Sequence, residues 1–159
     1  MINSSGLVND GLTSGCANNG QTVWSYNQGL AIGAFTRCGA PPAKAATWIP
    51  PSVWPTPRCP RSLTRDGILT ESCGTGTGSC DDNQKQCKGI FIRRLADLAD
   101  AIESAAYKAY IKKQAESIWA TDRDPLNRLG QRWAGTTPNQ ADWRTQASAL
   151  EALTAADGL

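Results

Sequence analysis

Three stretches of this chain repeat apolar residues at three- and four-residue spacing, and that period leaves little choice of secondary structure. Val23, Tyr26, Leu30 and Ala34 form one stripe, Phe91, Leu95, Leu98 and Ile102 a second, and Tyr107, Ile111, Ala115 and Ile118 a third. A stripe of this period lies along one face of an α-helix and has to be buried against another element. The spacing predicts a first helix over residues 22–35, with Thr22 or Asn19 as its N-cap. Two helices carry the other stripes, and a last one runs over residues 140–156. No stretch alternates convincingly as a strand would. Helices joined by long loops point to an all-α architecture, and 159 residues suit one domain over residues 1–159.

The loops differ in kind. Residues 1–21 are polar and rich in Gly and Asn, and residues 63–87 read as one long loop. Seven of the nine prolines fall between Pro41 and Pro60. Each removes a backbone donor and fixes φ, so neither period survives there. Residues 36–62 are therefore an irregular Pro-rich segment, with Trp48, Trp54, Cys38 and Cys59 inside it.

Composition narrows the chemistry. The formal charge is +2 with the basic residues scattered, which argues against a nucleic-acid partner. No apolar run approaches the roughly 20 residues of a membrane span. The start, MINSSGLVNDG, has neither the basic nor the apolar region of a signal peptide. There is no histidine, so the commonest neutral-pH base and the commonest zinc ligand are both missing. No metal site or cofactor is expected. Cys73 and Cys80 bracket the loop CGTGTGSC, which reads as a disulfide clip in an exported protein, with free thiols as the alternative.

Several motifs are distinctive as a set: Asn9-Asp10-Gly11-Leu12; NNGQTVWSYNQGLAIGA (residues 18–34); Asp66-Gly67-Ile68-Leu69 leading to Glu71 and Cys73; and KGIFIRRL (residues 88–95). Ser117-Ile118-Trp119, Trp133-Ala134-Gly135 and TQASALEAL (residues 145–153) continue the series. In order and spacing they resemble the second half of glycoside hydrolase family 76, the α-1,6-mannanases. The resemblance implies part of an (α/α)6 toroid, about half of the barrel, whose long loops line a cleft for α-mannan or a related polysaccharide. It also implies endo-hydrolysis with retention by two neighbouring aspartates, and secretion for the parent family. That aspartate pair belongs to the family's first half, so no catalytic residue is assigned in this chain, and inactivity alone is the expectation. A non-catalytic carbohydrate-binding remnant, or a toroid acting on another glycan, is the alternative. Asp81-Asp82-Asn83 reads as an acidic turn ahead of a helix, a substitute catalytic pair being the alternative, though it stands in a Gly-rich loop and not where the family carries its aspartates.

Residues 36–62 break the resemblance. One GC-rich choice of codons for residues 41–63, read in a neighbouring frame, gives ATGEGGYLDSAERLADAALSSL, an amphipathic helix behind the turn the family has there. The expectation is a compensated frameshift from about Phe35 to Ser62, a genuine Pro-rich loop being the alternative.

Sugars are held by planar hydrogen-bonding groups and by aromatic faces. Asn9, Asp10, Trp24, Tyr26, Asn27, Gln28 and Arg93 are the candidate substrate-binding residues. Asp10 could equally be a turn residue, and the amides beside Tyr26 could bond between helices, as buried polar groups must find partners. Arg93 points away from its helix's apolar stripe, toward a carboxylate or a sugar oxygen. Phe91 reads as core. Trp119, Trp133 and Trp143 suit either core or sugar stacking, with core favoured. Cys87 stands where the family usually has an aromatic.

Overall fold

The computed structural model describes residues 2–37, 63–135 and 139–159. The frameshift expectation and the Pro-rich segment, from residue 38 onward, lie outside the described residues. Within them the chain is helical: α1 (Ser25–Arg37), α2 (Cys87–Ala101), α3 (Ala105–Ser117) and α4 (Trp143–Asp157). A π-helical turn, Ile118–Asp122, prolongs α3, and 3-10 turns cover Ser72–Gly74 and Gln84–Gln86. No helix here is long and apolar enough to cross a membrane.

The central helix is α2, with α1 and α4 both packed on it and α3 against α4 and α2. Two glycines set these approaches. A Cβ on Gly29 of α1 would lie 2.8 Å from the Phe91 Cα, and one on Gly89 of α2 would lie 2.6 Å from the Ser148 carbonyl oxygen of α4. Backbones this close leave room only for hydrogen. The core then fills with Phe91, Ile92, Leu95 and Leu98 from α2, Ile111 from α3, and Ile118, Leu129, Trp133, Ala149 and Ala152. Each large apolar side chain so buried is worth about 1.5–3 kcal/mol.

The stripes on α2 and α3 meet the core as their period requires, with Ile102 only partly buried. That of α1 does not. Leu30 is 51% exposed, and the buried face is Ser25, Asn27, Gln28, Gly29, Ile32 and Gly33. Close packing on α2 selects the side with small residues and outweighs the larger apolar side chains. The helix also starts later than expected, at Ser25. Its first donors are taken by neither Thr22 nor Asn19 but by Glu71, whose carboxylate accepts from the Ser25 N–H (3.1 Å) and the Ser25 hydroxyl.

The last helix likewise starts at Trp143, after a cap. Asp142 accepts from the N–H groups of Arg144 (2.8 Å) and Thr145 (3.1 Å), and the Thr145 hydroxyl oxygen accepts from the Asp142 N–H (2.9 Å). This is a reciprocal capping box.

The segment over residues 63–87, expected as one loop, holds two short strands. Thr64–Arg65 (β1) pairs antiparallel with Ile68–Leu69 (β2). Asp66 and Gly67 turn the hairpin with φ of 55° and 79°, the left-handed pair that a two-residue hairpin loop requires. Gln114 of α3 fastens it, accepting from the Leu69 N–H (2.8 Å) and donating to the Gly67 carbonyl (3.0 Å).

Candidate functional site

The N-terminal loop is built on α1. The Gln28 side-chain amide accepts from the Val8 N–H (2.9 Å) and donates to the Val8 carbonyl (2.9 Å). Asn9, buried beside it, donates to the Gln21 carbonyl and accepts from Asn18 (3.1 Å). Both amides are therefore occupied in holding the loop. Asp10 follows immediately and is exposed, with its Oδ1 accepting from the Tyr26 hydroxyl at 2.6 Å. That bond to Asp10, together with partial burial, holds the Tyr26 phenol above its ordinary value. Asn27 is buried, and its Oδ1 has no hydrogen-bond partner among the described residues.

Asp10, Trp24 and Tyr26 form one wall of an open cleft of about 490 Å³. The turn before α2 lines it too, with Asp81, Asn83, Gln84 and Gln86, as do Cys87 and Ile90 of α2. Two rings, two carboxylates and three amides face the same space, and no Lys or Arg is among these lining residues. Asp81 also closes its own turn, accepting from the N–H groups of Asn83 and Gln84 at 2.9 Å each. The Cys87 thiol is pushed up to about 12 by burial and then by the Glu71 charge, so it stays a protonated, unreactive group.

Of the residues singled out from sequence, Asp10, Trp24 and Tyr26 come together here, while Asn9 and Gln28 stand behind them. Arg93 is elsewhere. Its Nη1 donates to the Glu151 carboxylate of α4 at 2.7 Å, so of its two readings the carboxylate partner is the one realised. Cys73 and Cys80 are joined, with Cα atoms 4.9 Å apart, and Arg132 donates to the Gly76 and Gly78 carbonyls of the loop they close, both at 2.6 Å. Among the described residues Cys16 and Cys87 are free, and no group of three or more Cys, Asp or Glu is placed to hold a metal ion.

The tryptophans divide. Trp133 is 1% exposed, as a core residue should be, but Trp119 and Trp143 are 54% and 67% exposed. The preference for core fails for both because each lies at a helix end, where an arginine rather than a second helix covers it. The Arg123 guanidinium sits 4.0 Å from the Trp119 ring centre, and that of Arg144 sits 4.4 Å from Trp143.

A second polar cluster, for which the helical periods give no sign, lies inside the protein. Lys88, 4% exposed, donates to the Gln131 carbonyl, with its ammonium 4.4 Å from the Trp133 ring centre. Burial lowers its ammonium to about 8, against the charges of Asp122 and Glu71, which favour the protonated form. Burial likewise raises Glu71 and Asp122, against the hydrogen bonds each receives. Lys88, Glu71 and Arg132 border a small chamber of about 100 Å³ under the hairpin. Lys88 opens KGIFIR and Glu71 follows the DGIL turn, so the cluster joins two of the distinctive motifs.

These features define an all-α protein with an aromatic-walled, polar cleft at the loop ends of its helices. The sequence profile of glycosyl hydrolase family 76 matches residues 1–157, and the chain belongs to that family. Among solved structures it is similar to the alpha-1,6-mannanase of Salegentibacter sp., with a TM-score of 0.73 at 21% identity, covering 99% of this chain and 47% of that one. A protein of Listeria innocua is similar to the same degree, with a TM-score of 0.72 at 22% identity, covering 99% and 44%. An inactive variant of the Salegentibacter enzyme, with two consecutive aspartates replaced by alanine, is held in complex with alpha-1,6-mannotetrose. It matches with a TM-score of 0.64 at 22% identity, covering 85% and 40%. The fold is accordingly part of the toroid these proteins share, and the chain spans less than half of their length. No curated protein matches the sequence significantly.

Proposed function

We propose that this chain forms the substrate-binding part of a glycoside hydrolase acting on α-1,6-linked mannan or a closely related polysaccharide. The observation that carries the reading is the cleft wall. There Asp10, fixed by Tyr26, lines one cleft together with Trp24, Tyr26, Asn83, Gln84 and Gln86. A hexose presents hydroxyls around its edge and C–H groups on its faces. Carboxylates and amides suit the first and aromatic rings the second.

In this reading Tyr26 keeps Asp10 oriented as a hydroxyl acceptor, and Trp24 covers a sugar face. Gln28 and Asn9 act as positioning residues that hold the loop on α1. Asp81 and Asp82 keep structural duties, the first in its turn and the second in an ion pair with Arg144 at 2.7 Å. The two aspartates that cleave with retention are then supplied from outside this wall, and the isolated chain binds without turnover. The Cys73–Cys80 bridge supports export to an oxidising compartment.

Titration of the chain with α-1,6-mannotriose, followed by amide chemical shifts, tests the proposal. We expect weak, saturable binding whose largest changes fall on residues 10, 24, 26 and 83–87, and loss of binding in Tyr26→Ala. Binding of an unrelated glycan in preference, or turnover of mannan by this chain alone, would overturn it.

A further inference from the structure

The cleft is acidic in a chain whose formal charge is +2. Three cations of the neighbouring elements are held by partners outside this lining, Lys85 also lying 3.5 Å from Asp82. Lys85 donates to Asp142 at 2.8 Å, Lys88 points inward to the Gln131 carbonyl, and Arg144 pairs with Asp82 at 2.7 Å. Asp82 is therefore neutralised, whereas Asp10 and Asp81 face the cleft with no lysine or arginine among its lining residues. Tyr26, the one described side-chain donor to Asp10, is neutral, so its hydrogen bond orients the carboxylate without cancelling its charge.

We propose that this arrangement is a charge filter: Asp10 and Asp81, which both line the cleft, admit neutral saccharides and turn away glycans that carry phosphate or carboxylate groups. The inference rests on the sugar-binding reading above and adds the substrate class. Each aspartate lines the cleft with a carboxylate that can only accept, and in each the second oxygen is not taken by the bonds that orient the group. A neutral hydroxyl can donate to either, whereas a phosphate brings a charge of about −1.5 to −2 at pH 7 against these carboxylates. Like charges brought within one cleft repel at a range that solvent screens only partly, and added salt shortens that range.

The experiment compares α-1,6-mannotriose with the same trisaccharide phosphorylated at its terminal 6-hydroxyl, titrated into the full chain at low salt and at about 1 M salt. We expect the phosphorylated sugar to bind at least about tenfold more weakly at low salt. The gap should narrow at high salt, and also in the Asp10→Asn/Asp81→Asn double variant, which keeps acceptors at both positions. Equal affinities at low salt would overturn the filter and leave the sugar-binding reading standing. A gap that neither salt nor the double variant narrows would be steric and would overturn it too. Failure of both sugars to bind a chain whose helical circular dichroism is intact would overturn the reading and the filter together.

Discussion

Glu71, 46 residues away in sequence, supplies the carboxylate that closes the N-terminus of α1 at Ser25. The carboxylate is 2% exposed and receives both the backbone N–H and the hydroxyl of Ser25. Truncating it leaves the first turn of α1 without its acceptor and Lys88 with one buried counter-charge fewer. We expect Glu71→Ala to cost about 3–5 kcal/mol in urea unfolding, and Ser25→Ala only about 1 kcal/mol. Equal costs would mean that Glu71 acts on the helix end alone.

Lys88 gives stability a pH dependence of defined sign. Its ammonium is lowered in the fold from 10.5 to about 8. Between those values the unfolded chain binds more protons, so this group's contribution rises with pH. Over that window the rise amounts to about 3 kcal/mol, and it is complete above the unfolded value. Glu71 and Asp122, raised by burial, act oppositely, losing stability as pH climbs from the ordinary carboxylate range through their folded values. Unfolding free energies from pH 7.5 to 10.5 should therefore climb more steeply in the wild type than in Lys88→Met. Parallel curves would show that Lys88 is not held at its lowered value.

Gly29 and Gly33 lie one turn apart on α1 and should answer differently to the same change. A methyl on Gly29 meets the Phe91 backbone at 2.8 Å, and backbone cannot yield without moving a helix. A methyl on Gly33 meets the flexible stem of Arg94 at 2.7 Å, and Arg94 is partly exposed. Gly29→Ala should cost about 1–3 kcal/mol despite the roughly 1 kcal/mol that alanine adds to a helix. Gly33→Ala should be neutral or stabilising. Thermal melts of the pair settle it.

Reducing the Cys73–Cys80 bridge frees a short loop whose Gly76 and Gly78 carbonyls hold Arg132. The Cys73→Ser/Cys80→Ser variant should lose about 2–3 kcal/mol. Because Arg132 is 4% exposed, its loss of fixed acceptors should also show as faster amide exchange around Trp133.

What could be read from the chain alone follows from what is local. The stripes of α2 and α3 have apolar partners at every turn, and their period carried the burial of Phe91, Leu95, Ile111 and Ile118. The α1 face was misread because Gly29 and Gly33 contribute contact through absence of a side chain, which an apolar pattern cannot register. Both helix starts were placed early: at α1 the capping group comes from Glu71, and at α4 the Asp142 box lies inside the expected span. The hairpin had a local signal in Asp66-Gly67, hidden by strands of only two residues. Tyr26 and Asp10 were legible as candidates one by one. That Gln28 and Asn9 support them from behind, and that Lys88 turns inward, are tertiary facts with no periodic trace.

The Gln28–Val8 pair has one more consequence. With two of its amide's three bonds given to the Val8 backbone and the third to the Trp24 carbonyl, Gln28 does for the N-terminal loop what a neighbouring strand would do, and it does so from a helix. The loop is thus tied at Val8 and Asn9, on the N-terminal side of Asp10, before a ligand arrives. The ordering entropy of Asp10 was surrendered when α1 folded, so a sugar meeting this wall should bind with little loop rearrangement, its affinity limited by contacts rather than by the cost of arranging them.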